Sequence, residues 1–126
     1  WETLKEFIRV NTKNHNDIIA IGSGGNINKV FSLSKKKEGK PLSIELLKDY
    51  LKEIGAISVQ ERMELYKLRE DRADVIVPAL QIYVNVMRWA NVEAIYVPKI
   101  GLADGLIHLL YEEVKSYWPA FLPLSP

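Results

Sequence analysis

The sequence predicts a helix-rich α/β fold with a small parallel sheet surrounded by helices. Two apolar stretches, residues 18–21 and 94–97, have strand character, and a long region of helical periodicity separates them. Long helical crossovers between apolar strands are typical of parallel pairing with right-handed connections. A run without polar alternation also predicts that the first strand is buried on both faces. Both strands end in glycine-bearing turns, so we expect a ligand to lie at that edge of the sheet.

The helices are predicted from apolar periodicity and from residues that start or end a helix. Ser43 is a good N-cap for a helix that Gly55 closes, and Ser58 with Glu61 forms a capping box that starts another. Pro78 falls inside a long apolar helix, which we expect to kink there without dividing. The other predicted helices cover residues 1–10, 27–33, 70–90 and 102–117, with a charged loop at 34–41 and an apolar, proline-containing tail at 118–126.

Composition limits the classes of function. The 126 residues are 48% hydrophobic and 26% charged, which is typical of one soluble globular unit. Seventeen basic and sixteen acidic side chains give a net charge of +1, so we expect no nucleic-acid partner. The absence of cysteine excludes disulfides and thiolate catalysis, and the two distant histidines indicate no metal site on this chain. No apolar run is long enough to span a bilayer, and we expect a cytoplasmic protein without a membrane partner.

A glycine-rich turn after the first strand is the main candidate for binding. Glycines at the carboxyl end of a strand let backbone N–H groups approach an anion, with the positive end of the next helix behind them. The alternative is a tight turn that only glycine accommodates. The last residue of the turn either hydrogen-bonds a ligand or caps the helix, and the cap is favoured. The predicted phosphate-facing residues here are Gly22, Ser23, Gly24, Gly25 and Asn26.

Several segments together resemble the Ppx/GppA family of exopolyphosphatases and guanosine pentaphosphate phosphatases. They are Ala-Ile-Gly-Ser-Gly-Gly-Asn-Ile at 20–27, Glu-Arg at 61–62, Leu-Arg-Glu-Asp-Arg-Ala-Asp-Val-Ile-Val-Pro-Ala at 68–79, and the segments at 95–97 and 101–107. The resemblance implies an actin-like, ribonuclease-H-like architecture of two lobes, in which residues 1–117 are the C-terminal portion of the second lobe. It implies that the longer protein uses Mg²⁺ to hydrolyse polyphosphate or guanosine pentaphosphate. The other lobe, with the catalytic glutamate, would be this chain's partner, and the fragment alone would be inactive, with no catalytic residue and no bound cofactor.

Two cations outside the turn are further candidates for phosphate binding. Arg72 lies in the most family-like segment, and a guanidinium can hold phosphate oxygens bidentately. The alternative is a structural ion pair with Asp71, Asp74 or Glu61. Lys99 stands at the carboxyl end of the second strand, and its alternative is a solvated loop lysine. The lysines at 35–37 are either a solvated loop tip or a basic flap near an anionic substrate.

Departures from the family pattern motivate other functions. Asn26 stands where the family usually has threonine, Lys99 where it has aspartate, and Ala103 where it has arginine. The missing arginine motivates a non-catalytic module that senses a nucleotide or phosphate. A third hypothesis is a structural domain that forms a homodimer through its sheet edge and apolar tail.

Overall fold

A computed structural model describes residues 1–117, in which six helices surround a three-stranded sheet. The predicted tail at 118–126 lies outside the described residues. The helices are α1 (Glu2–Thr12), α2 (Gly25–Ser34), α3 (Ile44–Gly55), α4 (Val59–Tyr66), α5 (Glu70–Trp89) and α6 (Leu102–Tyr117), and the strands are β1 (Ala20–Ile21), β2 (Leu42–Ser43) and β3 (Ala94–Tyr96). This confirms the predicted fold class.

The two predicted strands lie side by side and point the same way. Ala20 of β1 is paired with Ile95 of β3 in a parallel register. The Gly22 N–H continues this pairing by donating to the Tyr96 carbonyl oxygen at 2.8 Å. The strand β2, which the sequence analysis did not predict, pairs antiparallel with the other edge of β3, so the sheet order is β1-β3-β2. The turn after β1 therefore begins at the carboxyl end of the sheet.

The core forms where α5 packs against the sheet and the other helices. This helix contacts α1, α2, α3 and α4, and it continues through Pro78. Its continuity was predicted, while the kink stays a prediction. Fully buried side chains from four elements meet around it, among them Ile27, Leu47, Ile54, Ile76, Leu80 and Met87. Within α3 and α5 these residues are spaced by four or seven positions, which places them on the inner faces of their helices.

The predicted helix ends at Ser43 and Ser58 are confirmed. The Ser43 side chain accepts from the Leu46 N–H at 3.1 Å. Ser58 and Glu61 form the complete capping box, with the Ser58 N–H donating to a Glu61 carboxylate oxygen at 3.2 Å. These caps satisfy N–H groups that a helix start otherwise leaves unpaired.

The prediction that β1 is buried on both faces is wrong for this chain. Ile18 and Ala20 pack against the core, whereas Ile19 and Ile21 are 68% and 67% exposed. The reason is that β1 is an edge strand, and only its inner face packs against the core. The helix α6 likewise has no buried residue within 102–117, and its leucines face solvent. None of the helices within residues 1–117 combines the length and the apolar character that crossing a membrane requires.

Candidate functional site

The glycine turn is fixed to the sheet by close packing at Gly22. A Cβ placed on this residue would lie 2.8 Å from Ile95 Cδ1 and 3.2 Å from Ile27 Cγ1, and both isoleucines are buried. Gly24 has φ +115°, a conformation that side chains rarely permit. Glycine is therefore favoured at position 22 by close packing and at position 24 by backbone conformation.

The first turn of α2 presents open backbone donors. Gly24 is the N-cap, and no side-chain hydrogen bond caps this end of the helix. Within residues 1–117, the N–H groups of Gly25, Asn26 and Ile27 have no acceptor, whereas the Asn28 N–H donates to the Gly24 carbonyl oxygen at 3.0 Å. The favoured prediction that Asn26 caps the helix is wrong, because the helix begins one residue before it. The open donors and the helix dipole make this end attractive to an anion.

Arg72 reaches across from α5 to the same turn. Its Nη1 donates to Asn26 Oδ1 at 2.8 Å, and the side chain is half-buried. The guanidinium lies directly over Gly25, where an added Cβ would be 2.7 Å from its Cζ. The alternative of an ion pair with Asp71, Asp74 or Glu61 is wrong for the described part of the chain. A cation without a carboxylate partner thus stands beside the positive end of a helix, and an anion bound between them would interact favourably with both.

Tyr83 ties α5 to the other side of the turn. Its hydroxyl donates to the Ser23 carbonyl oxygen at 3.2 Å. Burial raises the pKa of Tyr83 above its ordinary value of 10.0, so the hydroxyl stays protonated, and able to donate, to a higher pH than that of an exposed tyrosine. The sequence analysis did not identify Tyr83 as part of this site. Nothing in its apolar helical spacing indicates a bond to a residue sixty positions earlier.

Lys99 lies on the other side of α2 from Arg72. Its Nζ is 3.7 Å from Glu38 Oε2, and both side chains are exposed. It lines a groove of about 560 Å³ together with Lys35 and Lys36, at the carboxyl end of β3. We call this the second groove. The turn and Arg72 are therefore in contact with each other, while Lys99 belongs to a separate part of the surface.

Sequence reasoning missed three further cations beside the turn. Lys29, Lys67 and Arg69 line a groove of about 340 Å³ that Gly25 and Arg72 also line. We call this the first groove. The signal was present, since Lys67 and Arg69 precede Arg72 by five and three residues. Lys29 is one helical turn after Gly25, on the same face of α2.

The fold is a helix-rich α/β unit with a small mixed sheet. The profile of the Ppx/GppA phosphatase family matches residues 2–115, and the chain belongs to this family. A search of curated proteins gives no significant match.

Solved structures of the family from Aquifex aeolicus share the fold. One family member is 21% identical with a TM-score of 0.68, and the match covers 91% of this chain and 40% of that one. The type II variant of the Aquifex aeolicus Ppx/GppA phosphatase is 20% identical with a TM-score of 0.68, over 84% and 38% of the two chains. An Aquifex aeolicus PPX-GPPA enzyme is 20% identical with a TM-score of 0.66, over 84% and 39%. The present chain therefore spans about 40% of the length of the first of these relatives.

Proposed function

We propose that the longer protein hydrolyses a terminal phosphoanhydride of inorganic polyphosphate or guanosine pentaphosphate. In this proposal the present chain supplies a phosphate-facing turn, residues 22–26, and no catalytic base. Family membership supports the reaction class. Within residues 1–117, the observation that carries the role of this chain is that the unpaired N–H groups of the first turn of α2 lie beside the Arg72 guanidinium, which is hydrogen-bonded to Asn26 but has no carboxylate partner.

The turn would act by electrostatic positioning. Donors that are held in place before the substrate arrives need no reorganisation as charge develops on the transferred phosphoryl group. Arg72 is held by Asn26, and the turn is held by Tyr83 and by the packing at Gly22. Lys99 is exposed at a strand end and would contribute a weaker, more screened attraction.

The remaining machinery is proposed to come from the rest of the protein. Mg²⁺ is the cofactor that the resemblance implies. Residues 1–117 bring together no group of three histidine, aspartate or glutamate side chains able to hold a metal ion. The described residues therefore do not fit a complete magnesium site, and we assign no step to the metal on this chain. The missing lobe would provide both the ligands and the base.

The test is phosphate release by the full-length protein with Mg²⁺, comparing Arg72→Gln with Arg88→Gln. Both arginines lie on α5 and donate to an asparagine side chain, but Arg88 donates to Asn85 at 2.7 Å in a solvent-exposed hydrogen bond on the C-terminal turns of the helix. Loss of a charged hydrogen-bond donor predicts a fall in kcat/KM of roughly ten- to a hundredfold for Arg72→Gln. Arg88→Gln should leave it unchanged. No release from either substrate by the unmodified protein, with its upstream motifs intact, would refute the hydrolase proposal.

The second candidate is a non-catalytic module that senses a nucleotide or phosphate. Ala103, in the first turn of α6, stands where the family usually has arginine, and this favours the alternative. Titration calorimetry on the full-length protein distinguishes the two. A sensor binds guanosine tetraphosphate or a nucleotide without turnover, whereas a hydrolase releases phosphate from its substrate.

A further inference from the structure

Arg62 is a half-buried cation on α4 that joins three helices. Its Nε donates to the Ile54 carbonyl oxygen at 2.8 Å, next to the last residue of α3. Its Nη1 donates to the Ala73 carbonyl oxygen at 3.0 Å, near the start of α5. Within residues 1–117 it forms no ion pair with a carboxylate. The guanidinium is therefore bound by backbone carbonyl groups of two other helices.

The two hydrogen bonds fix the end of α3 against the start of α5. A guanidinium is planar, so its Nε and Nη1 donors stand in a fixed relation to each other, whereas lysine has a single donor nitrogen. The contact between the helices is close at this level, because a Cβ placed on Gly55 would lie 3.9 Å from Val77 Cγ1. Arg62 therefore holds Ile54 and Ala73 at one separation.

The residue that Arg62 holds is the neighbour of Arg72. Successive residues of an α-helix project about 100° apart, so their side chains take different directions from one backbone. Ala73 is fully buried, whereas the Arg72 side chain extends to the glycine turn, where its Nη1 donates to Asn26 Oδ1 at 2.8 Å. Fixing the backbone at Ala73 therefore fixes the point from which the Arg72 side chain starts.

The hydrogen bonding of α5 is weakened a few residues after this point. Pro78 lies inside the helix and has no N–H, so the Asp74 carbonyl oxygen receives no bond from position 78. The section that carries Arg72 is thus joined to the rest of the helix by fewer bonds than an uninterrupted helix has. The bond from Arg62 to Ala73 attaches that section to α4 as well.

The support from which Arg62 reaches α5 is itself fixed. Ser58 and Glu61 form the capping box at the start of α4. At its other end the Tyr66 hydroxyl donates to Glu53 Oε2 of α3 at 3.4 Å. Because α4 is held at both ends, the position of Arg62 is set before any ligand arrives.

We propose, resting on the function proposed above, that Arg62 is a positioning residue for phosphate binding at the turn. It holds the first turns of α5 so that the Arg72 guanidinium stays beside the open N–H groups of α2. Arg62 does not line the first groove, so its effect on a bound phosphate passes through Arg72. A residue that only stabilised the fold would change the amount of folded protein, whereas a positioning residue changes the activity of the folded protein.

The test compares three variants of the full-length protein. Arg62→Met keeps the apolar stem and removes both donors, and Arg62→Lys keeps the charge and one donor nitrogen. Ser43→Ala is the control for stability, because it removes the acceptor for the Leu46 N–H at the opposite end of α3 from Ile54. The urea midpoint should fall by roughly 0.5–1.5 M in Arg62→Met and by a comparable amount in the control.

Phosphate release is measured where circular dichroism shows each variant to be folded. Arg62→Met should lower kcat/KM roughly three- to thirtyfold, Arg62→Lys should lie between it and the unmodified protein, and Ser43→Ala should leave kcat/KM unchanged. In the Arg72→Gln background, Arg62→Met should lower kcat/KM by less than about twofold, while the fall in the urea midpoint remains. Should Arg62→Met not fold, Arg62→Lys carries the same comparison. Equal losses of kcat/KM in both backgrounds, or no loss in a folded variant, would overturn the positioning role.

Nuclear magnetic resonance of the full-length protein gives a second measurement that needs no turnover. The Nε–H signal of Arg72, identified by its loss in Arg72→Gln, and the side-chain amide signals of Asn26 should shift in Arg62→Met and stay in place in Ser43→Ala. If the unmodified protein releases no phosphate, the hydrolase proposal fails and these signals alone decide the role of Arg62. Unchanged signals in a folded Arg62→Met variant, or equal shifts in the control, would contradict it.

Discussion

Substitution of Gly22 by alanine tests whether the turn is held by packing. The new Cβ would lie 2.8 Å from Ile95 Cδ1 and 3.4 Å from Ile95 Cγ1, and Ile95 is buried at the centre of the sheet. Overpacking a core typically costs about 1–3 kcal/mol. The φ of Gly22 lies outside the left-handed region, so alanine also restricts the unfolded chain, which offsets about 0.4–1 kcal/mol. We expect a net destabilisation of about 1–2 kcal/mol.

Urea unfolding followed by circular dichroism measures this change. With a denaturant dependence of about 2 kcal/mol per molar, the midpoint should fall by about 0.5–1 M. The companion variant is Ile95→Val, which removes Cδ1, the atom nearest to the Cβ that alanine would add at position 22. By itself this substitution costs about 0.5–1.5 kcal/mol of stability. Because one change makes room for the other, the double variant should be more stable than the sum of the two losses predicts, by at least about 0.5 kcal/mol. Additive losses, or no loss in Gly22→Ala, would refute the packing argument.

Three further changes test the turn and its supports. Gly25→Ala places a Cβ against the Arg72 guanidinium and should displace it, lowering phosphate release by the full-length protein as much as loss of Arg72 does. The free energy of unfolding in urea should change by less than about 1 kcal/mol. Unchanged phosphate release would contradict the contact. Tyr83→Phe tests the pH dependence of stability. The raised pKa of Tyr83 gives stability that is present below pH 10.0 and is lost as pH rises through the folded-state pKa. Above pH 10.0 the free energy of unfolding should therefore fall less steeply with pH in the variant than in the unmodified protein. Ser58→Ala removes the acceptor for the Glu61 N–H at 3.2 Å and should cost about 0.5–2 kcal/mol in thermal unfolding, and an unchanged midpoint would show that the capping box does not stabilise α4.

The parallel strand pair could be predicted because both strands are continuous apolar runs that end in glycine turns. The strand β2 could not, because two residues are too few to show any alternation, and Ser43 already carried a helix-cap signal. The pairing of Leu42 with Ile95 depends on the sheet already being in place. Exposure of Ile19 and Ile21 was missed for a similar reason, since an apolar sequence does not say whether something covers its second face.

The site was predicted in its parts and not in its connections. Glycine chemistry indicated the turn, and charge indicated Arg72, but the bond between Arg72 and Asn26 joins residues 46 positions apart. The prediction of an Asn26 cap failed because Gly24, with φ +115°, can begin the helix without a side-chain cap. The cations of the first groove come from α2 and from the segment before α5, and only the tertiary fold brings them together.

The two bonds from α5 to the turn have a mechanical consequence. Arg72 and Tyr83 are eleven residues apart on α5, in its N-terminal and C-terminal halves. Arg72 donates a hydrogen bond to Asn26, and Tyr83 donates one to Ser23. Because both hydrogen bonds come from α5, the orientation of the turn depends on the position of that helix as well as on the sequence of the turn. Rotation or sliding of α5, which also touches α1, α3 and α4, would carry the turn with it. A displacement of α1, α3 or α4 that moves α5 would therefore also move the turn where an anion would bind.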